Sequence, residues 1–252
     1  MEQYSTIGQN NGFKNETDLK EYINNHYLND YNDNIKKFLN FLFGSSLNPE
    51  EKFFASKPSG QVKPDLEIKH NNTVKYVSIK VGSGNSVHQE EIEVFFPFIK
   101  SLFGDEILDC LKLFHYGDDT TDDSGTIRYS ASQCKKRYPH QIEKLNNNFN
   151  NWTYLDTFLD RFLFVGNIPT GSVVDCIYYG TVKEGIWASR HEIKNYFQNN
   201  DFSSTNLHFG ALTYQVWGRN NNFQAVHPNR RYTMQVKWGS IEDNLKNIME
   251  DR

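Results

Sequence analysis

Apolar residues recur at three- and four-residue intervals in "ETDLKEYINNHYL" (16–28) and "NDNIKKFLNFLFG" (32–44). This spacing predicts helices through the first sixty residues, with Gly44 as a stop. From 64 to 81 the period changes to two, which predicts a β-hairpin. Residues 86–103 then read as a helix, "ILDCLKLFHYG" (107–117) as a buried strand, and 135–149 and 152–164 as helices. "SVVDCIYYG" and "GIWAS" predict a strand pair followed by the helix "SRHEIKNYFQ", capped at Ser189. "GALTYQVWG" and "RRYTMQVKWG" predict two more strands, and "SIEDNLKNIME" a last short helix. Strands interleaved with helices in this order predict an α/β (α+β) fold, a central mixed β-sheet flanked by helices.

The hairpin can be given a register. With Asn71 and Asn72 as a two-residue turn, a place asparagine tolerates because it can adopt positive φ, opposed residues have numbers summing to 143. Leu66, Ile68, Val77, Ile79 and Val81 then share one face and enter the core, while Asp65, Glu67, Tyr76, Ser78 and Lys80 share the polar face. Lys75 is the misfit, sent inward near the tip, where its stem can snorkel. Asp65 faces Ser78, with Lys80 as its diagonal neighbour.

Composition narrows the setting. The 252 residues suffice for one sizeable core, and the whole chain, 1–252, is expected to form a single domain: a helical part to 60, a part built on the hairpin over 61–115, and the remaining core over 116–252. Aromatic side chains make up 15% of the chain, which argues against disorder despite the asparagine-rich loops. The net charge of −4 excludes a globally basic nucleic-acid binder, so a binding surface would have to be local. Cys110, Cys134 and Cys176 are odd in number and widely spaced, as expected of reduced thiols in a cytoplasmic protein. Neither a leader nor a membrane span is read from the sequence, and no membrane partner is expected.

An aspartate and a lysine on adjacent strands have a chemical use beyond the exposed ion pair that such residues commonly form. The Asp65 carboxylate and the Ile79 backbone carbonyl can hold Mg²⁺, and Lys80 can position or deprotonate a water and offset charge on a phosphate. A second acid is then needed. Ser86 followed by Gln89 has the form of a capping box, which would open a helix carrying Glu90 and Glu91 in its first turns. Glu90 is the favoured second ligand and Glu91 its competitor.

Pro64-Asp65, twelve intervening residues and Ser78-Ile79-Lys80 resemble the PD-(D/E)XK nuclease signature of many type II restriction endonucleases. The chain departs from that signature at Ser78, where the family usually has Asp or Glu. "SIK" followed by "HQEE" is similar to the variant that takes its missing acid from the next helix. The match spans residues 64–91. The resemblance implies a Mg²⁺-dependent endonuclease acting on double-stranded DNA, with a restriction endonuclease-like core and commonly a homodimer. Degenerate binding proteins, and nucleases directed at RNA or single strands, are the alternatives.

Two segments could meet the nucleic acid. "QCKKRYPHQ" gathers Lys135, Lys136 and Arg137, suited to phosphates; "WGRNNNFQAVHPNRRYTMQVKWG" offers Arg219, Asn220, Asn222, His227, Arg230, Arg231 and Lys237, suited to phosphates and base edges. "DDTTDD" (118–123) lacks the glycine and closing glutamate of an EF-hand and reads as an acidic surface loop. The sequence contains neither an HEXXH pair nor a GXSXG elbow.

Overall fold

The structure is a computed structural model that describes residues 2–44, 47–82, 85–219 and 226–252, with the backbone alone for 2–11. In chain order the helices and strands are α1 (Glu2–Asn24), α2 (Asp33–Phe43), β1 (Phe54–Ser56), β2 (Leu66–His70), β3 (Thr73–Lys80), β4 (Ser86–Glu91), α3 (Ile92–Phe103), α4 (Asp105–Tyr116), α5 (Ala131–Arg137), α6 (Pro139–Phe149) and α7 (Trp152–Leu159). A π-helical turn (Asp160–Phe164), β5 (Cys176–Gly180), β6 (Gly185–Ser189), α8 (Arg190–Asn199), β7 (His208–Phe209), β8 (Leu212–Val216), a 3₁₀ turn (Pro228–Tyr232), β9 (Thr233–Lys237) and α9 (Ile241–Glu250) follow. They gather into two compact units: Met1–Asn85 with Asp160–Asn199 and Ser240–Arg252, and Ser86–Leu159 with Asn200–Gly239. Among the described residues no helix is long and apolar enough to cross a membrane.

The first unit holds a mixed five-stranded sheet in the order β1-β2-β3-β5-β6. β1, β2 and β3 form an antiparallel meander, β5 adds parallel to β3, and β6 returns antiparallel. The expected register holds, with Leu66 opposite Val77 and Glu67 opposite Tyr76. It is fixed by alternation and by Asn71, whose φ of 51° is a left-handed value that asparagine tolerates. Leu66, Ile68, Val77, Ile79, Cys176, Tyr178 and Trp187 join Leu19 and Ile23 of α1 and Ile35, Phe38, Leu39 and Leu42 of α2 in one buried cluster. Cutting one of these leucines or isoleucines to alanine would cost about 2–5 kcal/mol.

The second unit carries an antiparallel sheet, β4-β9-β8-β7, with α3, α4, α5, α6 and α7. Aromatic rings fill much of its interior. Phe149 stacks on Phe209 at 5.0 Å between centroids, and Phe158 meets Phe149 edge-on at 5.2 Å.

Several elements differ from the sequence reading. The segment after Gly44 is not helical throughout, because Phe54–Ser56 adds the edge strand β1. Residues 107–117 are helical instead of a strand. Ile107, Leu108, Leu111, Phe114 and His115 bury one stripe of α4, and Gly117 in the left-handed region ends it. The 135–149 helix breaks between Tyr138 and Pro139, since a residue before proline avoids the α region and Pro139 can only open a new helix. The 152–164 helix changes to the π-helical turn at Asp160.

The largest correction concerns 86–103. Residues 86–91 form strand β4 against β9, with Ser86 opposite Lys237 and Glu91 opposite Thr233, and the helix begins only at Ile92. The capping-box pattern of Ser86 and Gln89 is therefore not used as one, and the Ser86 hydroxyl instead accepts from Gln235 at 3.0 Å. A capping box does form at Ser130 and Gln133, opening α5.

Candidate active site

Asp65 stands one residue ahead of β2, where its backbone N–H donates to the Val77 carbonyl at 2.9 Å and holds it across from Ser78. The carboxylate turns toward the end of β3. Its Oδ2 accepts from the Ser78 hydroxyl at 2.9 Å, the Ile79 N–H at 2.6 Å and the Lys80 ammonium at 3.0 Å. Three donors on one oxygen fix the carboxylate rotamer, and the charged donor strengthens the set. Lys80 Nζ also donates to the Ile79 carbonyl at 3.0 Å. Ser78 is 1% exposed, so its hydroxyl depends on Asp65 for a partner. The sequence placed Asp65, Ser78 and Lys80 together correctly, through register alone.

The Lys80 ammonium already lies within reach of both proposed metal-ligand oxygens, Asp65 Oδ2 and Ile79 O. None of the three bonds uses Asp65 Oδ1. Among the described residues, no three His, Cys, Asp or Glu side chains gather in a way that could hold a metal ion. One carboxylate and one carbonyl fit Mg²⁺, which keeps several waters and takes further oxygens from a substrate phosphate. They do not fit an ion that needs a full cage of protein side chains.

Glu90 and Glu91 are not on the helix that would have presented them. Glu90 is buried in β4, with Oε2 3.0 Å from His88 Nε2, and Glu91 accepts from the Thr233 hydroxyl at 2.8 Å. His88, the first residue of "HQEE", is the buried partner of Glu90. On the polar face of β2, Glu67 accepts from the Ser56 hydroxyl at 2.6 Å and pairs with Lys69 at 3.0 Å. The Ser56 hydrogen bond, followed by that to Lys69, holds the Glu67 carboxyl below its ordinary range.

The basic segments of the second unit divide into engaged and outward side chains. Arg137 pairs with Asp119 and covers the Tyr129 ring at 4.8 Å; this guanidinium, first among several donors, pulls the Asp119 carboxyl down to about 2. Arg231 is buried against Asp123, which also accepts from the Tyr232 hydroxyl at 2.8 Å. Arg219 is half-buried, donating to the Phe114 carbonyl at 2.6 Å and so capping the C-terminal end of α4. Lys136 and His227 are exposed, Lys135 and Lys237 half-buried, and Arg230 stacks over Trp217 at 4.5 Å. Asn220 and Asn222 lie outside the described residues. The loop read as acidic surface is tied down by arginines, and the buried Asp118 accepts from Arg128 at 3.0 Å and from the Gly125 N–H at 3.1 Å.

No protein-family model matches the chain, and no curated protein matches it in sequence.

Proposed function

We propose that this chain is a Mg²⁺-dependent endonuclease that hydrolyses phosphodiester bonds in double-stranded DNA, in the manner of type II restriction enzymes. The observation that carries the reading is the convergence of Asp65 Oδ2, the Ile79 carbonyl and the Lys80 ammonium at the end of one hairpin. The resemblance of residues 64–91 to the PD-(D/E)XK signature supports it. Asp65 and the Ile79 carbonyl are the groups that would hold Mg²⁺, with water and phosphate oxygens completing its shell. When bound, the ion would offset phosphate charge and acidify a water. Lys80 orients the attacking water and compensates charge on the phosphate, while Ser78 and the Ile79 N–H hold Asp65 in place. Glu90 and Glu91 are the acids to test as further ligands. Lys135, Lys136, His227, Arg230 and Lys237 are the side chains to test as DNA contacts. A cytoplasmic homodimer, one site per strand, is part of the same reading.

The test is cleavage of mixed-sequence duplex DNA with Mg²⁺ and with EDTA, beside Lys80→Ala. Discrete fragments that vanish with EDTA and in the variant are expected. DNA binding without cleavage would replace this reading with that of a degenerate nuclease scaffold. Ser78 favours that second reading, since a hydroxyl stands where the signature has an acid. Parallel single-stranded DNA and RNA substrates would separate the remaining alternative.

A further inference from the structure

On the α2 side of the five-stranded sheet, a cleft of about 640 Å³ opens in the first unit. Phe41, Leu42, Val173 and Val174 make its apolar wall; Lys75, Arg190, His191 and Lys194 make its basic side. Asp175 is the one carboxylate among its described lining residues. Lys75 is the residue that strand alternation turned inward without an apolar reason, and this cleft is where its side chain goes.

The cations of this cleft lie close to one another. Arg190 and Lys194 lie one turn apart on the same side of α8, an arrangement of like charges that disfavours a helix. Both reach a single oxygen, Asp160 Oδ1, at 2.8 and 2.9 Å. Lys75 Nζ stays 3.6 Å from Asp175 Oδ1, and Asp175 Oδ2 accepts from the Tyr76 N–H at 2.8 Å. Lys75 is thus held only loosely, and Arg190 and Lys194 converge on one carboxylate oxygen, with His191 beside them.

We propose that this cleft binds a phosphorylated small molecule of nucleotide size, with its phosphate against Lys75, Arg190 and Lys194 and its apolar or aromatic body against Phe41, Leu42 and Val173. Small-molecule sites span about 300–1,000 Å³ and combine an apolar wall with a few polar groups, as this cleft does. A duplex backbone would call for an open basic stripe, whereas this cleft ends on the buried Val174 and Cys176. It is also separate from the hairpin site. Lys75 and Lys80 point to opposite faces of β3 and stand five residues apart, roughly 17 Å along the strand. The proposal does not rest on the nuclease reading.

Calorimetric titration of the full chain with AMP, GMP, ATP, GTP, inorganic phosphate and a short DNA duplex tests it. At least one nucleotide should bind saturably at one site per chain, more weakly as salt rises. Lys75→Ala and Lys194→Gln should each weaken that binding about tenfold or more, while Lys80→Ala leaves it unchanged. Both altered cations are partly exposed, and matching thermal unfolding of the variants would show that lost binding is not lost folding. Nucleotide and phosphate both failing to bind up to about 1 mM would overturn the proposal. So would undiminished binding in both variants, phosphate binding as tightly as any nucleotide, or binding of the duplex alone.

Discussion

Lys80 Nζ lies 3.0 Å from Asp65 Oδ2 although fifteen positions separate the two residues, and the same ammonium is 3.0 Å from the carbonyl of its neighbour Ile79. One side chain thus bridges the two oxygens that the hairpin offers a cation. If Lys80 serves chemistry, Lys80→Met should lower single-turnover cleavage about 10²–10⁴-fold with little change in the thermal midpoint. Asp65→Asn is the matching variant, because it keeps an acceptor for the Ile79 N–H while removing the charge. Asp65→Ala is the poorer test. It strips the buried Ser78 hydroxyl and the Ile79 N–H of their acceptor, at about 1–3 kcal/mol for each group left unpaired. Equal losses of stability and activity in Asp65→Asn would make the pair structural.

Ser78 can be turned into a test of metal affinity that needs no cleavage. Its Oγ is 2.9 Å from Asp65 Oδ2, so Ser78→Asp sets a second carboxylate against the first. With two charges set against the Lys80 ammonium that now pairs with one, the variant should unfold at a lower temperature in EDTA than the parent. Mg²⁺ should then raise its midpoint more than it raises the parent's, because the ion binds only the folded arrangement. A Mg²⁺ response no larger than the parent's would count against a metal site at this position.

Acid should destabilise the protein through His115. The ring is fully buried, with Nδ1 2.6 Å from the Tyr214 hydroxyl and Nε2 2.8 Å from the Arg231 carbonyl. A carbonyl can only accept, so Nε2 carries the proton; burial favours the neutral ring, in which Nδ1 accepts from the Tyr214 hydroxyl. Burial lowers its pKa from 6.5 to about 3. Between those values the unfolded chain binds a proton that the folded chain does not. Stability is therefore full above pH 6.5 and falls as the pH drops toward 3, by up to about 1.4 kcal/mol per pH unit. Burial also lowers the pKa of His208, which adds to the loss with the same sign. Urea unfolding of His115→Asn should show a shallower slope of stability against pH across this window. An unchanged slope would assign the effect to other groups.

The hairpin was legible in the sequence because its information is local: a period-two pattern, a turn residue that accepts positive φ, and a register that follows from both. The strand pair β5 and β6 was legible for the same reason. The stretch from Ser86 to Glu91 was not, because Ser-x-x-Gln can begin a helix or be a strand whose serine finds a partner elsewhere. The donor from Gln235 that decided it is 149 residues away. "ILDCLKLFHYG" failed on length, since a short apolar run fits either a buried strand or a helix face. Among the basic residues, sequence reasoning could see charge but not its partners. Arg137 and Arg231 belong to Asp119 and Asp123 of a loop read as surface, and that pairing is tertiary. The cleft around Lys75 left one local trace, a lysine on the apolar face.

Glu90 and Glu91, adjacent in the chain and once rivals for one role, should now behave differently from each other. The Glu90 side chain is 1% exposed and meets His88, whereas Glu91 is exposed and gives up only its bond to Thr233. Glu90→Ala leaves a buried histidine without its carboxylate and should cost about 3–5 kcal/mol, while Glu91→Ala should cost about 1 kcal/mol or less. Loss of cleavage in Glu90→Ala alone would therefore say nothing about catalysis. Glu90→Gln separates the two effects, because its amide oxygen can still accept from His88 and its volume is kept. With the carboxylate held by His88, the Mg²⁺ concentration for half-maximal cleavage should be the same in Glu90→Gln as in the parent. A marked rise in that concentration, in a variant whose thermal midpoint is preserved, would return Glu90 to the metal site.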